Sequence, residues 1–223
     1  MNVNLITLFK KAFLLACLMG IAGTSYTAQM NREDNLQEVL NWERIVKVYD
    51  AYIESTSLGN AYNVIEILPR DRLRESQGDA ESSLIHMFSS DFYPVLQGEA
   101  ISGVREAIEI HFRLLNITDG IYSEIVSSTL GQIVRNYPRL FLEVLQHYQN
   151  TNRIRTRGYP VDFVGMGLNM HAKAALHVLK ERMKALETVK HASLLNLSKA
   201  CIIQLRRAIK QRPSSVSASW DDE

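Results

Sequence analysis

Apolar residues recur at steps of three and four along almost the whole chain, and no other feature constrains its fold as strongly. Such steps lay an apolar stripe along one side of an α-helix, whereas a half-buried strand alternates apolar and polar residues. In residues 36–53 the apolar positions include 36, 39, 40, 46, 49 and 53, and Asp34 or Asn35 can cap that helix. A short apolar piece at 61–68 ends at Pro69, and further helical stretches fall at 79–88, 100–115, 121–134, 138–148, 164–189 and 192–212. Pro138 suits a first helical turn, where its missing N–H has no partner in any case. The segments "PRDRLRESQGD", "SDFYPVLQGE", "TDG" and "QNTNRIRTRGYP" read as breaks. Only "YNVIEIL" is strand-like, and it is short and isolated.

The last two stretches form a pair. Leu168, Ala172, Ala175, Leu179 and Leu186 share one stripe, and Leu194, Leu197, Cys201, Leu205 and Ala208 share another, the spacing that packed helix pairs use. The fold expected is all-α: a helical bundle or short HEAT-like helical array of six to eight helices, ending in a long antiparallel helical hairpin. No sequence repeat with a period of about 30–50 residues accompanies it. Four regions follow: 1–28 a signal peptide, 29–150 an acidic all-α region, 151–212 a basic helical hairpin sharing one core with it, and 213–223 a disordered acidic tail.

The first region carries "KKAFLLACLMGIAGTSYTAQ". A positive flank, an apolar run of about 7–15 residues and then small residues make up a secretory signal peptide. A membrane-spanning helix needs about 20 apolar residues, and extending this run to that length would bury Lys10 and Lys11. "LLAC" also resembles a bacterial lipobox, with Cys17 as the lipid acceptor. The expectation is an exported, periplasmic or secreted chain, with a lipoprotein anchored through Cys17 or an uncleaved anchor as alternatives. With the signal removed, Cys201 has no partner within the chain and reads as a small buried apolar residue.

Charge is divided unevenly. Residues 29–150 hold 18 acidic and 10 basic side chains, whereas residues 151–212 hold 3 acidic and 13 basic, beneath a formal net charge of +1. Either the basic hairpin docks on the acidic half or exposes solvated cations, or it binds an anionic partner: an anionic lipid, an envelope polymer or an acidic protein. Nucleic acid is not expected for an exported chain. The residues that would form the surface are Arg153, Arg155, Arg157, Tyr159, Lys173, Lys180, Arg206, Arg207 and Lys210. Arginine forks in particular suit phosphate and carboxylate.

Catalytic patterns are sparse. There is no Gly-x-Ser-x-Gly elbow, His-Glu-x-x-His, P-loop or dinucleotide-binding fingerprint. Glu143 and His147, four apart, read as a surface pair, and no second pair at ligand spacing completes a metal site. His171 and His177 lie too far round a helix to chelate together, and His111 reads as a satisfied, partly buried histidine. Glu106 and Glu109 read as members of solvated ion pairs with Arg105 and Arg113. No cofactor is implied. The reading is a non-enzymatic interaction protein. The alternative is a small exported all-α hydrolase acting on envelope polymers, which would need Glu66 or Glu109, each between two isoleucines, in an apolar cleft. "NIT" at 116 and "NLS" at 196 fit a glycosylation sequon. Trp42 reads as core and Trp220 as a tail residue.

Overall fold

A computed structural model of the chain describes residues 40–70, 80–151, 159–163 and 172–211. These form nine α-helices and no strand, so the fold is all-α. The signal-like segment, Cys17, Arg153, Arg155, Arg157, His171, Trp220 and the tail lie outside the described residues.

Local chemistry sets the helix limits. Helix α1 (Trp42–Glu54) is capped by Asn41, whose Oδ1 accepts from the Arg44 N–H at 2.9 Å, while Asp34, Asn35 and residues 36–39 lie outside the described residues. Its buried residues, Trp42, Ile45, Tyr49 and Tyr52, keep the three- and four-residue steps. Helix α2 (Leu58–Ile67) is capped by Ser57 and ends before Pro69. The strand-like run therefore lies mostly within a helix. The Asn60 amide donates to the carbonyls of Ala51 and Ser55, tying α2 to the end of α1.

After α3 (Ala80–Met87) comes α4 (Tyr93–Ile101), where the sequence suggested a break. Pro94 sits in its first turn and removes no helical hydrogen bond there. The break falls instead at residues 102–104, inside the stretch expected to be one helix at 100–115. Gly103, at φ +91, closes α4: its N–H bonds Ala100 O and the Val104 N–H bonds Glu99 O. With this extra helix the described residues alone hold nine, against the six to eight expected of the chain.

Helix α5 (Arg105–Leu114) is buried at every residue from Ala107 to Leu114, and so lies inside the bundle. It packs against α2, α4, α6 (Gly120–Asn136) and α7 (Pro138–Thr151). Phe112 meets Phe141 and Tyr148 of α7 at centroid distances of 5.6 and 5.2 Å. Helix α8 (Ala172–Glu187) lies on α6 and pairs with α9 (Leu195–Gln211), which a 3-10 turn at Ala192–Leu194 precedes. Ala175, Leu179, Leu186, Cys201 and Leu205 are fully buried, as their stripes required. All these helices belong to one compact unit that begins at Asn41. No described helix is long and apolar enough to cross a membrane.

Candidate functional site

Burying one stripe of α8 and α9 forces the opposite stripe outward. On α8 the outward residues are Lys173, His177, Lys180 and Lys184, at steps of four, three and four. On α9 they are Lys199, Ile203, Arg206 and Lys210, at the same steps, with Arg207 beside them. All nine are exposed. Glu187 continues the α8 stripe, and its carboxylate lies 3.6 Å from Arg206 Nη2. This contact brings the two stripes edge to edge as one basic face.

Little of this charge is neutralised. Residues 172–211 contain nine Lys or Arg and only two acids, Glu181 and Glu187. Glu181 meets Arg135 at 3.1 Å and His177 at 3.3 Å, and Glu187 meets Arg206. Among the described residues Lys173, Lys180, Lys184, Lys199, Arg207 and Lys210 make no ion pair. If the basic hairpin docked on the acidic half by charge, its lysines would face that half's carboxylates. The ion pair that joins α8 to α6 instead runs from Arg135 of the acidic half to Glu181 of the basic one. The inward stripe of α8 is apolar at Ala175, Leu179 and Leu186, all fully buried.

One hairpin cation turns inward. Arg182 is buried and donates through Nη1 to Val161 O at 2.9 Å and to Phe163 O. Burial draws its guanidinium down to about 10, with Asp162 opposing and Arg135 adding to the shift, so it stays protonated at neutral pH. Its plane lies where Gly131 of α6 has no side chain, and a Cβ there would collide with it. Gln204 holds the same turn from α9. Its Oε1 accepts from the Tyr159 N–H at 2.7 Å and its Nε2 donates to Tyr159 O at 2.6 Å. Tyr159, a sequence candidate, is thereby fixed beside the basic helices. Arg182 was missed because it reads as one more cation, although 175, 179, 182 and 186 are a single stripe.

An open groove of about 600 Å³ lies between the start of α7 and the turn from α8 to α9. Tyr137, Arg139, Glu143, Lys190 and His191 line it. None of them was among the anion-binding residues expected from sequence.

The remaining candidates are placed elsewhere. Glu66 is exposed on α2. Glu109 is buried, but its carboxylate faces Arg113 Nη2 at 3.6 Å, and neither glutamate lines the groove. That Glu109–Arg113 pair is not the solvated one expected, because α5 takes its polar residues inside with it. Arg105 pairs instead with Glu143 of α7, at 3.7 Å. Glu143 also accepts from Arg139 Nε at 2.8 Å. Among the described residues no three His, Cys, Asp or Glu side chains gather at metal-binding distance.

His111 is wholly buried. Its Nδ1–H donates to Ala107 O at 2.7 Å, which leaves Nε2 to accept from the Tyr93 hydroxyl at 3.3 Å. Burial pulls it down to about 4, so it is neutral at pH 7. The Tyr93 hydroxyl also lies 2.9 Å from Thr129 Oγ1, which accepts from Gln97 at 3.0 Å, closing a structural network. Burial pushes the Cys201 thiol up to about 12, as suits a packed rather than a reactive thiol. Asn116 is buried, its amide donating to the carbonyls of Pro69 and Arg70, whereas Asn196 is exposed. Trp42 is in the core.

No family model matches the chain, and no curated protein or solved structure matches it either.

Proposed function

We propose that this chain is an exported interaction protein that binds an anionic polymer of the cell envelope through the basic face of α8 and α9. The observation that carries the binding half is the direction of the Arg135–Glu181 pair. The hairpin is held to the rest of the fold by its apolar stripes, so its positive charge remains available to a partner. The export half rests on residues 10–29 of the sequence.

The form of the face favours a linear polyanion. From Lys199 to Lys210 the α9 stripe runs roughly 16 Å at 1.5 Å per residue, with Arg206 two turns beyond Lys199 and Lys210 one turn further. The apolar sides of both helices are buried, and Ile203 is the one exposed apolar residue within the two stripes. A helix that inserts into a bilayer needs a free apolar face, which α8 and α9 lack.

Binding is measured with the full mature chain and three probes: long-chain polyphosphate, polyglutamate and phosphatidylglycerol vesicles. Polyphosphate binding weakens steeply with salt, because exposed charges are screened. Replacing Lys180, Lys184, Arg207 and Lys210 together by Gln lowers affinity by roughly tenfold or more, at about half a kcal/mol for each exposed contact. An unchanged affinity in that variant would sink the proposal. Tighter binding to vesicles than to either polymer would replace the envelope polymer by a lipid surface. Intact mass of the natively recovered chain tests export, and a chain retaining residues 1–28 would overturn a cleaved signal.

A further inference from the structure

The groove at the α8–α9 turn differs from the basic face in being a shaped, supported concavity. Its two walls are fixed to one another. The Gln146 amide of α7 donates to Ser193 O at 3.0 Å, and Val189 is buried beneath the turn. Tyr137 lies over Gly103, where an added Cβ would come within 3.2 Å of its ring.

Arg139, Lys190 and Glu143 are the Lys, Arg, Asp or Glu residues that line it. Glu143 is the one carboxylate lining it, and two guanidinium groups meet it, Arg139 at 2.8 Å and Arg105 at 3.7 Å. One positive charge is therefore left over from that cluster. Lys190 adds a second. Its ammonium gives one hydrogen to Glu187 O at 2.8 Å and keeps two. The His191 ring is held by Ser193 Oγ at 2.9 Å from Nδ1. Among the described residues no acceptor meets the N–H groups of Arg139 and Leu140, in the first turn of α7 beside the groove.

We infer that this groove is a phosphate-binding subsite, which reads one phosphate group of the anionic partner while the face of α8 and α9 supplies general attraction. The inference deepens the anionic-partner reading and rests on it. Two surplus positive charges match a phosphate better than a singly charged carboxylate. Arg139 and Leu140 line the groove from α7 and Lys190 lines it from the turn between α8 and α9, so a phosphate there has donors from two separate parts of the chain. Tyr137 offers an aromatic wall to whatever carries the phosphate. Lys190 lies three residues beyond Glu187, where the two stripes meet, so the groove is at one end of the basic face.

The test is a 1H–15N NMR titration of the full mature chain with inorganic phosphate at constant ionic strength, with chloride as the control. Saturable shifts are expected at the amides of Arg139, Leu140, Lys190 and His191. Lys190→Gln and Arg139→Gln, both exposed positions, are expected to weaken phosphate at least about fivefold while leaving the rest of the spectrum in place. Lys47→Gln, an exposed position on α1 outside both the groove and the basic face, is expected to leave the phosphate titration unchanged. Shifts spread along the hairpin and reproduced by chloride would overturn the subsite, as would a Lys190→Gln chain that binds phosphate as well as the parent. Polyphosphate binding without shifts at the groove would defeat this inference and leave the basic face standing. Loss of polyphosphate binding altogether would defeat that face. Competition for the groove amides by polyphosphate, and not by phosphatidylglycerol vesicles, assigns the phosphate to a polymer; the reverse result assigns it to a lipid headgroup.

Discussion

Helices α1–α7 and the α8–α9 pair use charge in opposite ways. In α1–α7 four of the six Lys and Arg side chains meet a carboxylate: Arg105 and Arg139 with Glu143, Arg113 with Glu109, and Arg135 with Glu181. In α8 and α9 the two acids are occupied, and most of the lysines face outward alone. The two buried arginines repeat the contrast. Arg113 lies beside a carboxylate, whereas Arg182 has backbone carbonyls and the bare face of Gly131. A surplus of one sign persists on a surface when packing, rather than ion pairing, holds the element in place.

Experiments that separate packing from charge can break or sharpen this contrast. The largest effect is expected for Leu179→Ala, which empties a fully buried site between α8 and its neighbours. It should cost about 2–5 kcal/mol in denaturant unfolding. A loss below about 1 kcal/mol would mean that α8 is not held by its apolar stripe.

Acid comes next, and acts on the interior of α1–α7. An unfolded histidine titrates near 6.5, but His111 in the fold titrates near 4. Its contribution is complete above about 6.5 and is lost as pH falls through the window down to about 4, by about 3 kcal/mol in all. Urea midpoints across that range check this, and His111→Gln should flatten the slope.

Gly131→Ala would ordinarily favour a helix, but here it drives a methyl group into Arg182 and should cost about 1–3 kcal/mol. In an Arg182→Met background the same change should cost under about 0.5 kcal/mol, and equal costs in both backgrounds would rule out the contact. The smallest effect belongs to Arg135→Gln. Its pair with Glu181 is exposed and should be worth less than about 0.5 kcal/mol. A larger loss would make charge, and not packing, the link between the two regions.

Much of the fold was legible because helix formation and amphipathic burial are local. The stripes 175–179–186 and 194–201–205 are apolar in sequence and buried in the molecule. The error at residues 90–104 was also local in origin. The segment "SDFYPVLQGE" reads as a break although Pro94 lies in a first turn, while the Ser102–Gly103 pair is a turn signal in its own right. Function was less legible. Glu66 and Glu109 have the same isoleucine neighbours, yet one is exposed and the other buried, because α2 presents one side to solvent and α5 presents none. The groove joins residues 137–143 to residues 188–191, and no spacing along the chain announces such a meeting.

The sequence by itself determined that this chain is helical and that its positive charge gathers in the last third, since periodicity and composition are properties of the order of residues. Only the tertiary structure decided which cations remain on the surface. Arg182 goes inward because its stripe faces Gly131, and Arg206 joins two stripes because Glu187 stands across from it. Whether a charge is neutralised depends on distances of a few ångströms between residues far apart in the chain, and those distances exist only once the helices have packed.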